Sequence, residues 1–148
     1  MLSTSSLIIR FIILFVLLLC TYYPIIPGLV SVWLEDSNNS HGLLVPLIAG
    51  FFIYQKRHDL KSYIDNMGSL KCGFWTNSLG LFIFIVSLCI YILFFVGSID
   101  LVPRLMLILS LISLAWYCFG LSLINIILFP MLFMFFMVPV PDSFIGII

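Results

Sequence analysis

Hydrophobic residues run along this chain in long blocks, separated by short polar clusters. The first block covers 7–26, with Arg10 near its start. Others cover 42–54, 74–96, 101–119 and 121–138. A membrane-crossing helix needs ~20 mostly apolar residues, so each block is read as a membrane-spanning helix. The block at 42–54 is short, since its helix would cover only ~20 Å of a ~30 Å hydrocarbon core. It either starts inside the preceding polar segment or lies where irregular backbone lines a cavity, the one place where a membrane tolerates it. Pro103 falls in the first turn of its helix, where proline is tolerated. Gly97-Ser98-Ile99-Asp100 and Gly120 read as turns, and Pro130 lies inside the last block.

The segments between blocks differ in charge. Residues 27–41 read as a polar loop with Trp33, Glu35, Asp36 and no basic residue. Residues 55–73 hold Lys56, Arg57, Lys61 and Lys71, four of the six basic residues. Cytoplasmic loops are enriched in Lys and Arg. This places the N-terminus and the 55–73 segment in the cytoplasm, and the 27–41 segment, Asp100 and Asp142 outside. A cleaved signal peptide would need small residues after its apolar region. Thr21-Tyr22-Tyr23-Pro24 is bulky there, so the first helix is expected to be retained.

Composition closes off other classes. Of 148 residues, 64% are apolar and 8% charged, with zero net charge. A soluble domain of this size could not bury so much apolar surface. The expected fold is all-α, an integral membrane bundle of about five helices forming one domain over 1–148. Without a basic stripe there is no footprint for nucleic acid, and the expected partner is membrane lipid. Cys20, Cys72, Cys89 and Cys118 form no Cys-x-x-Cys pair, so neither a metal site nor a redox motif is read, and no cofactor is implied. Buried or lipid-facing cysteines of this kind act as small hydrophobes.

The polar chemistry collects on the outer side: Glu35, Asp36, Ser40, His41, Asp100, Arg104 and Asp142. His41 precedes the short helix and can titrate near neutral pH. Two uses are open to it: lining the mouth of an outward-facing site with Asp36, or capping the helix at the lipid headgroups. Asp100 and Arg104 are spaced for an ion pair across a helix start. Asn38-Asn39-Ser40 formally matches a glycosylation sequon. Of the cysteines only Cys20 falls at a plausible depth to meet His41, and its neighbours Leu19 and Tyr22-Tyr23 offer nothing to lower a thiol pKa.

Two segments resemble the exosortase/archaeosortase family. One is Trp33-Leu34-Glu35-Asp36, then Ser40-His41-Gly42-Leu43-Leu44-Val45-Pro46-Leu47-Ile48, then Gln55-Lys56-Arg57. The other runs from Phe129-Pro130 through an apolar stretch to Pro139-Val140-Pro141. Trp33, Asp36, Ser40, His41, Gly42 and Pro46 are the candidate motif residues of the outer face. The resemblance implies a multi-spanning protein of the inner membrane, of about eight helices in the family. It also implies a cysteine transpeptidase or protease that cleaves C-terminal sorting tails of exported proteins. The family's cysteine lies in a Cys-Ser-Gly-like motif, with an arginine and a histidine, all in the later half. This sequence has no Cys-Ser-Gly, and His41 matches the Ser-His-Gly position rather than the catalytic histidine. No catalytic residue is therefore assigned here, and the catalytic set is expected beyond Ile148. On this reading the chain is a truncated N-terminal scaffold. A non-catalytic remnant or scaffold subunit is the alternative. A transporter component fits less well, because transport favours ionisable residues within spans.

Overall fold

The computed structural model describes residues 4–35, 40–66, 74–97 and 101–139. Every regular element among them is helical: α1 (Thr4–Tyr22), α2 (Ile26–Glu35), α3 (Leu44–Gln55), α4 (Arg57–Asn66), α5 (Phe74–Val96), α6 (Leu101–Phe119) and α7 (Leu121–Phe133). Single 3-10 turns lie at Tyr23–Ile25, Ser40–Leu43 and Met134–Met137.

Among the described residues three helical stretches are long and apolar enough to cross a membrane: Ile8–Glu35, Asn77–Val96 and Leu101–Phe119. The stretches His41–Gln55 and Leu121–Met137 are apolar but shorter. Large apolar side chains such as Ile9, Leu17, Leu47, Phe82, Leu93 and Phe129 are exposed along these helices. In a soluble fold such faces would be an aggregation hazard. Here they contact lipid, and the protein is an all-α membrane helix bundle.

α6 is the centre of the packing. Of its spanning window 44% is buried, against 11% for the first stretch and 17% for α5. α5 packs along α6 at very short range: a Cβ built on Gly80 would lie 2.9 Å from the Tyr117 backbone nitrogen. Lipid tails supply no hydrophobic drive between helices, so close backbone approach and hydrogen bonds hold such pairs together. The hydrogen bonds form one buried chain. Tyr22 Oη and Ser87 Oγ lie 2.8 and 2.9 Å from Ser110 Oγ, and Ser110 itself donates to the Met106 carbonyl at 2.7 Å. Tyr91 donates to the Thr21 carbonyl at 2.9 Å, and its ring lies 4.2 Å from that of Tyr22. The network thus joins α1, α5 and α6.

Two local structures depart from the hydropathy pattern. Helix continues through Pro27 to Glu35, where a loop was expected. Pro24 and Pro27 both lie in first turns, where the missing N–H has no intrahelical partner to lose. They turn the chain through a 3-10 step, closed by the Ile26 N–H on the Tyr23 carbonyl, instead of ending it. The basic segment after Lys56 also forms a helix, α4. Its apolar residues Leu60 and Tyr63 pack on the core, and Tyr63 donates to the Phe119 carbonyl at 2.9 Å.

The helix ends sort into two groups. Phe11 packs on Phe119 at 5.1 Å, and Tyr63 reaches the same residue, so Arg10, α4 and the end of α6 share one end of the bundle. Trp33, the Ser40–Leu43 turn and the Met134–Met137 turn share the other.

Candidate functional site

The candidate motif is assembled from three separate pieces of chain. α2 carries Trp33 on its last turn, 8% exposed although it neighbours Leu34 at 69%. A buried indole needs a partner for its N–H. Trp33 Nε1 donates to the Met137 carbonyl at 2.9 Å, across 104 residues of sequence. Met137 ends the 3-10 turn that follows α7, in the apolar stretch between Phe129-Pro130 and Pro139. A 3-10 turn leaves terminal carbonyls without helical partners, and the Trp33 N–H meets one of them.

Gly42 occupies the space beside the same indole. A Cβ built on Gly42 would collide with Trp33 Cδ1 and Nε1 and would sit 3.1 Å from Cε2. Only a residue without a side chain lets the Ser40–Leu43 turn lie against this ring. The Trp, the Gly of Ser-His-Gly and the end of the proline segment therefore meet at one point.

The remaining candidates take different positions. Ser40 and His41 lie in the 3-10 turn, and the His41 side chain is exposed. Pro46 is half-buried in the first turn of α3, between buried Val45 and buried Ala49. Asp36 lies outside the described residues, as do Asn38, Asn39, Lys71, Cys72, Asp100, Pro141 and Asp142. The expected pairs Asp36 with His41 and Asp100 with Arg104 each include one residue outside the described ones.

Both short helices arrive at this site. α3 and α7 pack through Phe52, whose ring meets Phe129 at 5.2 Å and Phe133 at 6.3 Å, edge-on in both cases. Each carries its 3-10 turn at the Trp33 end. Irregular backbone in a membrane protein is tolerated only where protein or water satisfies it. Both 3-10 turns thus lie beside the buried Trp33, at the end of the bundle opposite α4.

The model of the transmembrane exosortase family matches residues 33–147. The chain belongs to this family. The match begins at Trp33 itself and covers the Ser-His-Gly turn and the proline segment. No curated protein and no solved structure matches the chain. Within this exosortase chain the described cysteines stand apart from the motif. Cys20 and Cys89 are exposed on helix faces, and Cys118 is buried next to Phe119 at the opposite end. Among the described residues no group of three or more His, Cys, Asp or Glu could hold a metal ion.

Sequence reasoning singled out Trp33 and Gly42 but not their common contact, nor the Met137 carbonyl. A backbone acceptor leaves no trace in residue type. The signal for α4 was present: Leu60, Tyr63 and Ile64 fall at the i, i+3, i+4 spacing of an amphipathic helix.

Proposed function

We propose that this chain is the N-terminal membrane scaffold of an exosortase-type cysteine transpeptidase, which processes the C-terminal sorting tails of exported proteins. One observation carries the reading. The family's two signature segments, far apart in sequence, are locked to each other by the Trp33–Met137 hydrogen bond and the Trp33–Gly42 contact. A positioning role accounts for that arrangement. It holds the Ser40–Leu43 turn against the end of α7, so that His41 faces outward at the entrance to the substrate path. The five apolar segments cross the inner membrane in alternation. The N-terminus and α4 are cytoplasmic and the Trp33 end is external, as the basic residues of 55–73 favour.

The reaction that fits such a scaffold is thiolate attack on a peptide carbonyl of the tail. The thioester acyl-enzyme forms as the peptide C–N bond breaks and the C-terminal part of the tail leaves as a protonated amine. An acceptor nucleophile then takes the acyl group and frees the thiolate, with fixed donors holding the oxyanion in both steps. The 148 residues contain no Cys-Ser-Gly. On this reading the nucleophile belongs to the later half of the family's sequence, and the residues in hand supply position rather than bond-making groups. The second reading is a scaffold subunit without activity of its own. Reading the coding DNA past codon 148 separates the two. A Cys-Ser-Gly motif followed by Arg and His in further apolar segments supports the enzyme. An in-frame natural stop removes the enzymatic claim for this polypeptide.

A further inference from the structure

α3 ends early, and its end lies beside the middle of α7. Gln55 and Phe52 line a cleft of about 520 Å³ together with Lys56, Asp59, Phe129 and Pro130. That volume falls in the ~300–1,000 Å³ range of small-molecule sites. Phe129 and Pro130 sit near the midpoint of the Leu121–Met137 stretch, and α7 is lipid-facing at this height, with Phe129 62% and Leu132 51% exposed. The cleft thus carries an ammonium and a carboxylate next to hydrocarbon-facing residues. No hydrogen bond or ion pair is made by either the Lys56 or the Asp59 side chain among the described residues. Arg57 is turned away, its guanidinium 4.4 Å over the Tyr54 ring. Both charged side chains are exposed at the junction of α3 and α4, where the apolar helix gives way to charge and lipid headgroups are the groups within reach.

We propose that this cleft binds the headgroup of a zwitterionic aminophospholipid, phosphatidylethanolamine, drawn in from the adjoining leaflet. Lys56 takes the phosphate and Asp59 accepts hydrogen bonds from the primary ammonium. An acyl chain lies along Phe129. A headgroup with one anion and one N–H donor matches this pair of side chains charge for charge. Phosphatidylglycerol offers no cation to Asp59, and choline offers no N–H. The site is independent of the transpeptidase reading and lies away from the Trp33 motif.

The experiment is native mass spectrometry of the chain released from phosphatidylcholine nanodiscs doped with phosphatidylethanolamine or phosphatidylglycerol. Phosphatidylethanolamine is expected to be retained preferentially. Retention should fall about tenfold in Lys56→Gln and in Asp59→Asn, the ratio supplied by one charge-assisted hydrogen bond at the weak end of its range. It should be unchanged in Lys61→Gln, on the same helix but outside the cleft. Glycerophosphoethanolamine, which lacks acyl chains, should not compete. Equal retention of phosphatidylcholine or phosphatidylglycerol, wild-type retention by both cleft variants, or competition by the acyl-free compound would each overturn the proposal. Should a cleft variant fail to fold, the wild-type preference between ethanolamine and choline lipids still decides it.

Discussion

Replacing Gly42 by alanine tests the Trp33 junction with a single methyl group. The added carbon would collide with Cδ1 and Nε1 of the Trp33 indole and lie 3.1 Å from Cε2. Non-bonded carbons prefer ~3.5–4.0 Å, so the ring or the turn must retreat by about 1 Å. A retreat of that size stretches the 2.9 Å bond to the Met137 carbonyl past the ~3.2 Å limit of ordinary N–H···O bonds. Overpacking costs about 1–3 kcal/mol. A hydrogen bond between membrane helices averages only about 0.6 kcal/mol, so the steric part dominates and the sum is about 2–4 kcal/mol. The assay is unfolding in mixed detergent micelles by titrated sodium dodecyl sulfate, followed by far-ultraviolet circular dichroism. A double-mutant cycle makes the attribution specific. In a Trp33→Leu background the indole edge is gone, and Gly42→Ala should cost less than about 1 kcal/mol. An effect under about 0.5 kcal/mol in the wild type, or an equal effect in both backgrounds, would refute the reasoning.

Other expectations follow from separate features. Gly120 joins α6 to α7 with φ 86° and ψ 170°, a region essentially limited to glycine, so Gly120→Ala should lower stability by about 1–3 kcal/mol in the same titration. Ser110→Ala removes the shared partner of Tyr22 and Ser87 and should cost more than Tyr22→Phe. The latter removes one bond worth about 0.6–1.7 kcal/mol, and a reversed order would deny Ser110 its central place. Reporter fusions at Asp65 and Asn38 should be cytoplasmic and external respectively, as read by paired phosphatase and fluorescent-protein activities. The opposite pattern would invert the proposed sidedness.

Much of the fold was legible because apolar blocks of membrane length have few alternatives. The long helices at 74–96 and 101–119 coincide with their hydropathy blocks to within the described residues. The boundary after the first block was not legible, because Pro24 and Pro27 are ordinarily read as helix stops. Their position in first turns, which depends on the turn between them, reverses that meaning. α4 was read as charge alone, since Arg57, His58, Asp59, Lys61 and Asp65 obscure an apolar stripe of only Leu60, Tyr63 and Ile64. At the site, Trp33 and Gly42 were visible as motif letters. Their physical relation was not, because it depends on a carbonyl at Met137, and any residue but its neighbours could have supplied that acceptor. The hydroxyl chain through Tyr22, Ser87 and Ser110 was hidden for a similar reason: serines in apolar helices show their partners only once the helices are packed.

Site-specific photocrosslinking from position 41 tests the central claim most directly. A benzoyl-phenylalanine replacing His41, in cells expressing the complete reading frame and a tagged protein with a C-terminal sorting tail, should capture that protein on illumination. The same probe at Leu47, on the lipid-facing side of α3 at 68% exposure, should not. Equal capture at both positions, or capture at Leu47 alone, would contradict a substrate path at the Ser40–Leu43 turn and with it the scaffold role assigned to this chain.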